Sequence, residues 1–93
     1  MSVSLQKQKQ TVKMKAIKTE NKNGTFTFTT ENGDVIVKST KRNYNAFALC
    51  YATDYCGDVC LHVLASTTKG EQQAIEMGSK NISDGYELFT ATV

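Results

Sequence analysis

Cys50, Cys56, Cys60 and His62 fall within thirteen positions as Cys-x5-Cys-x3-Cys-x-His, four side chains of the types that bind zinc. A structural zinc needs four such ligands converging at about 2.0–2.3 Å. Tight Cys-x2-Cys knuckles usually deliver them, and neither half of this cluster contains one. If Cys60 and His62 share one face of a strand and Cys50 faces them from the next, a site is geometrically allowed but not required. Small sulfur side chains packed in a reduced core, beside a half-buried histidine, are the preferred reading.

The same residues can be read as a Cys-His nucleophile, since an imidazole beside a thiol favours the thiolate. Cys60 and His62 stand two apart on a strand, too far for a dependable hydrogen bond, and no oxyanion hole is evident. A non-enzymatic protein without a cofactor is therefore expected.

Basic residues form the second constellation. Residues 1–42 carry nine Lys/Arg against three Asp/Glu, a formal +6, whereas residues 43–93 carry two against six, a formal −4. Such asymmetry points to an acidic partner, nucleic acid or protein, or to a head-to-tail contact between copies. Lys13 and Lys15 would project from one face of a strand. With Lys7, Lys9, Lys18, Lys38, Lys41, Arg42 and the aromatics Phe26, Phe28 and Tyr44 nearby, they could form a stacking and phosphate-binding surface for a single strand. The competing reading is that the lysines solvate an edge strand and the phenylalanines fill the core. Asp54 and Asp58 flank a loop that could instead meet a basic partner.

The elements that must position these residues follow from alternation. Val12, Met14 and Ala16 alternate with Lys13 and Lys15, a half-buried strand. Asn23-Gly24 and Asn32-Gly33 separate this run from Thr25–Thr30 and from Val35–Lys38. Asn-Gly suits the positive φ of primed hairpin turns, so a three-stranded meander is predicted. Tyr44–Thr53 and Val59–Ala65 form a second hairpin around Gly57. Thr68-Lys69-Gly70-Glu71 reads as a capping box opening a short helix, with Ala74, Met77 and Gly78 inward and Gly78 or Asn81 at its close. Asp84-Gly85 turns the chain into a last strand from Tyr86 to Val93.

The predicted fold is α+β, order β-β-β-β-β-α-β: a mostly antiparallel sheet of five to six strands with one helix. Residues 1–10 read as a flexible arm and 11–93 as one domain. The expected core comprises Val12, Met14, Phe26, Phe28, Val35, Val37, Phe47, Leu49, Leu61, Val63, Ala74, Met77 and Leu88.

Ninety-three residues leave no room for a separate substrate domain, and 40% hydrophobic with 22% charged residues excludes a disordered chain. No apolar run approaches a membrane span, and Met1–Gln10 is polar, without the apolar stretch of an export signal. Three cysteines, an odd number, argue for reduced thiols and a cytoplasmic setting.

The meander with later strands and a helix loosely resembles an oligonucleotide-binding barrel. That fold usually places its helix between strands three and four, whereas here the capping signal follows the fifth run. Separately, Lys38-Ser39-Thr40-Lys41-Arg42-Asn43-Tyr44-Asn45-Ala46, followed by Gly85-Tyr86-Glu87, resembles a pattern in small accessory proteins of phages and mobile elements. The resemblance covers roughly residues 35–93 and includes no residue that marks an activity. It implies a host-directed inhibitor, such as an anti-CRISPR or other anti-defence protein, that blocks a nucleic-acid-handling complex in the host cytoplasm. Direct nucleic-acid binding through the basic half is the alternative, and an exposed edge strand could also support a homodimer.

Overall fold

The computed structural model describes residues 11–93; the arm expected at residues 1–10 lies outside the described residues. Strands β1 (Val12–Glu20), β2 (Phe26–Thr30) and β3 (Val35–Thr40) form the meander, and β4 (Ala46–Thr53) and β5 (Val59–Thr67) the hairpin. Helix α1 (Glu71–Asn81) and strand β6 (Phe89–Thr92) follow. The six strands make one sheet in the order β3-β2-β1-β6-β4-β5. Pairing is antiparallel except where β6 runs parallel to β1. The sheet curls until the edge strands β3 and β5 approach without pairing, and the Tyr51 hydroxyl on β4 donates across the gap to Asp34 Oδ2 at 3.1 Å. The architecture is the α+β order expected from the chain.

One device closes all three hairpins. The backbone N–H of Asn21, Thr30 and Asp54 donates to the carbonyl four residues ahead, at 2.8, 2.8 and 2.9 Å. Gly24, Gly33 and Gly57 donate back three residues, at 3.2, 3.0 and 3.0 Å. These glycines hold φ of 83°, 94° and 92°, the left-handed region that a side chain disfavours. The pattern is a three-residue loop ending in a left-handed glycine, rather than the two-residue primed turn that Asn-Gly suggests. The meander is as predicted; its turns are one residue longer.

The strand alternation of β4 serves two cores. Phe47 and Leu49 join Ala16, Phe28, Ile36 and Ala91 inside the curled sheet, with Met14, Phe26, Val37, Tyr44, Leu61 and Phe89 packed around them. The Phe28 ring meets those of Phe47 and Tyr44 edge-on, with centroids 5.0 and 6.0 Å away. On the opposite face Ala46 and Ala48 join Ala65, Ala74 and Leu88 beneath α1, where Leu64, Ile75 and Met77 fill the margin.

Three residues expected in the core are exposed: Val12, Val35 and Val63. In β3 the register slips between Phe28↔Val37 and Thr29↔Val35, so Ile36 turns inward at 7% exposure and Val35 outward at 53%. A similar slip between Ala48↔Ala65 and Leu49↔Val63 sends Leu64 under the helix and leaves Val63 on the free edge. Val12 opens β1 at the sheet margin. A one-residue slip reverses which side chains face inward, and simple alternation carries no mark of it.

The expected capping box does not form. The helix begins after Gly70 (φ 146°, ψ −178°) with no side-chain cap. Glu71 instead accepts the Thr90 hydroxyl at 3.4 Å and lies 3.5 Å from Lys13 Nζ, while the Thr67 hydroxyl takes the Lys69 N–H at 3.1 Å. Asn81 does end the helix, its amide donating to the carbonyls of Met77 and Leu64. The last strand starts at Phe89, three residues later than predicted.

Gly78 lies mid-helix and buried because a Cβ there would collide with the Ala48 Cβ and press on Leu88. An exposed helix would gain about 1 kcal/mol from Gly78→Ala. Overpacking typically costs about 1–3 kcal/mol, so the substitution should lower stability in urea denaturation. A more stable variant would show that α1 does not sit this close to β4. Phe28→Ala should cost roughly 3–5 kcal/mol in the same assay, since its ring is fully buried among aromatics.

Candidate functional site

Because the chain runs up and down through the sheet, its connections fall alternately at two ends. Segments 31–34, 54–58 and 82–88 lie at one end, and 21–25, 41–45 and 68–70 at the other. The first set carries Glu31, Asp34, Asp54, Asp58, Asp84 and Glu87 and no Lys or Arg. The second carries Lys22, Lys41, Arg42 and Lys69 and no Asp or Glu. The connecting segments thus segregate by sign between two ends of one sheet, drawing on both halves of the sequence, while Glu20 and Glu71 border the basic segments and Lys80 an acidic one. β4 alone spans roughly 26 Å at about 3.3 Å per residue. That is several times the Debye length of about 8 Å at physiological salt, so the ends do not neutralise each other.

At the acidic end the β4–β5 hairpin reaches beyond its neighbour. Pairing of β4 with β6 stops at Leu49↔Phe89, whereas pairing with β5 continues to Thr53↔Val59. Tyr51 roots this arm, its ring edge-on to Phe89 at 5.2 Å and its hydroxyl on Asp34. The tip is ordered without being buried. Asp54 Oδ1 accepts the N–H groups of Cys56 at 2.9 Å and Asp58 at 3.0 Å. Tyr55 stands on this tip fully exposed, with Val59 beside the turn also exposed. No Lys or Arg occurs from 43 to 68, so the arm has no basic residue of its own to neutralise it.

The backbone N–H of Asp58 does most to hold the Asp54 carboxyl below its ordinary range; desolvation opposes it, and the N–H of Cys56 and the Cys60 thiol reinforce it. The thiol of Cys60 donates to Asp54 Oδ2 at 3.7 Å. Burial first, and the adjacent Asp54 charge second, push that thiol above its usual value. A carboxylate beside a thiol disfavours the thiolate, the reverse of nucleophile activation. Cys50 is buried and its thiol is also raised by desolvation.

Cys50 and His62 are cross-strand partners, as are Ala52 and Cys60, so these residues share a face. Cys56 sits apart in the turn, exposed. Among the described residues no three His, Cys, Asp or Glu side chains converge closely enough to hold a metal ion.

At the basic end Lys18 Nζ lies 5.3 Å from the centre of the Phe26 ring and donates to Asn43 Oδ1 at 2.8 Å. Asn45 ties segment 41–45 to 68–70 through the Thr68 carbonyl at 2.6 Å. Lys18, Lys41, Arg42 and Tyr44 therefore come together as one region, with Phe26 half-buried beneath it. Lys38 is exposed further along β3. Lys13 and Lys15 do not join them: they point from the outer face of β1, Lys13 toward Glu71, while Met14 and Ala16 face the aromatic core. Phe28 is fully buried and offers no stacking face. The expected single surface of lysines over phenylalanines is thus divided by the sheet.

Tyr55, Lys22 and Lys69, with the acids outside 54–58, were not singled out in the sequence. Their signal is the sign of charge in alternate connections, which becomes legible once the up-and-down path is drawn.

Among the described residues no helix is long and apolar enough to cross a membrane. No protein-family model matches the chain, and neither the curated proteins nor the solved structures contain a significant match.

The Asp54 carboxylate stabilises the tip only when ionised. With its folded value lowered, that contribution is complete above the ordinary aspartate range near about 4 and is lost as pH falls through the lowered value. The Cys56 and Asp58 amide resonances should therefore shift together below that range, with a midpoint under that of a free aspartate. Independent or absent shifts would mean that Asp54 does not hold the tip.

Proposed function

We propose that this is a non-catalytic binding protein that inserts the acidic end of its sheet, β4–β5 hairpin foremost, into a basic surface that another protein uses to handle nucleic acid. The observation that carries this reading is the hairpin tip: ordered by Asp54, flanked by Asp58, and presenting Tyr55 wholly to solvent. A preordered tip loses little conformational freedom on docking. A tyrosine at the centre of such a contact is a common hot spot, and flanking carboxylates steer it to a basic site and raise its association rate.

Such binding would compete with nucleic acid for the same surface. That is the behaviour of a stoichiometric inhibitor, and it suits the resemblance to anti-defence proteins of phages and mobile elements. The proposed setting is the host cytoplasm.

Affinity capture from a host lysate, with and without nuclease, should recover a protein partner at stoichiometric level that survives digestion. Tyr55→Ala, exposed and so expected to fold normally, should weaken that capture by at least tenfold, about 1.4 kcal/mol. Undiminished capture by Tyr55→Ala, or no effect of the bound protein on its partner's activity at saturation, would defeat the proposal.

The basic end supports a second reading, direct binding of a single nucleic-acid strand by Lys18, Lys41 and Arg42 beside Phe26. That reading predicts affinity for a single-stranded oligonucleotide that falls steeply with salt. Affinity independent of salt would reject it.

A further inference from the structure

We infer that the two ends of the sheet recognise each other between copies, so that the chain associates head to tail into open linear oligomers. The hairpin tip of one copy, with Tyr55 between Asp54 and Asp58, meets the basic end of the next, where Lys18 lies over Phe26 and Lys41 and Arg42 follow Thr40, the cross-strand partner of Phe26. Charge complementarity selects this occupant. The connecting segments at one end carry exposed acids and no base; those at the other carry exposed bases and no acid, outnumbering the neighbouring Glu20 and Glu71. A second copy therefore presents the opposite sign.

The two ends also differ in form. The tip is a narrow, protruding, two-stranded arm. The basic end is a braced rim around a partly exposed aromatic ring, held by the Lys18–Asn43 and Asn45–Thr68 contacts. Tyr55 seated against Phe26 and the Lys18 ammonium would combine aromatic and cation–π contact. The interacting surfaces lie at opposite ends of the strands. Each added copy thus leaves one free end of either sign, and the contact is heterologous and open rather than a closed two-fold pair.

The inference uses the same acidic end as the proposed function, but its test needs only the purified chain, so its failure leaves that proposal standing. Sedimentation velocity of the full chain at low salt should show an average mass that rises continuously with concentration and returns to that of one chain at about 0.5 M salt, where the screening length is only a few ångström.

Two variants, each neutralising one end, complete the test: Asp54→Asn with Asp58→Asn, and Lys41→Gln with Arg42→Gln. Each alone should remain a single chain. The mixture should depend on which faces remain: the first variant retains its basic end and the second its acidic end, so together they should form pairs and stop at two. Circular dichroism confirms that each variant is folded. A wild-type chain that stays monomeric at low salt, one whose mass levels off at two copies, or a mixture that does not pair would each overturn the inference.

Discussion

The four-residue strand β6 is the constraint on which the rest of the structure depends. Without it no backbone pairing would join the meander to the β4–β5 hairpin, because β1 and β4 both pair with β6 and not with each other. Phe89 to Thr92 pair with β1 on one side and β4 on the other, and Ala91 is completely buried between them. The chain reaches this slot from β5 through α1. The helix must therefore lie close over β4, and that closeness requires Gly78 against Ala48. The sheet, the helix contact and the placement of six connections at two ends share this origin.

Segregation of charge is a property of that path. Adjacent connections in sequence alternate between ends, so a sequence that alternates the sign of its loops builds a molecule with an acidic pole and a basic pole from a net charge of only +2. Net charge alone would have suggested a weakly basic, uninformative surface. The poles act on partners at different places, and this separates the hairpin reading from the nucleic-acid reading: each has its own end of the molecule.

Much of the fold is legible in the residues. Asn-Gly pairs flanked by Thr-Phe-Thr-Phe and Val-Ile-Val mark the meander, and alternation marks the strands β4 and β5. Burial on both faces, suggested by residues 59–65, belongs instead to β4, while β5 is an exposed edge. Register was not legible. Ile36 and Val35 exchange places because β3 bulges, and nothing in Val-Ile-Val distinguishes the inward residues. Thr68 and Glu71 have the spacing of a capping box, yet tertiary partners claim Glu71, as Thr90 and Lys13 are supplied by strands distant in sequence. Of the site, Asp54 and Asp58 were visible as a charged turn. Tyr55 gained its meaning only when β6 proved too short to accompany the hairpin to its tip.

The most direct test of the account is a pair of amide chemical-shift titrations on the full chain, one with a short oligoarginine peptide and one with a single-stranded oligonucleotide. The two poles predict that the peptide perturbs segments 31–34, 54–58 and 82–88, with Tyr55 and its neighbours foremost, and that the oligonucleotide perturbs 21–25, 41–45 and 68–70. Both probes shifting one common surface, or the peptide leaving the hairpin tip unmoved, would contradict it.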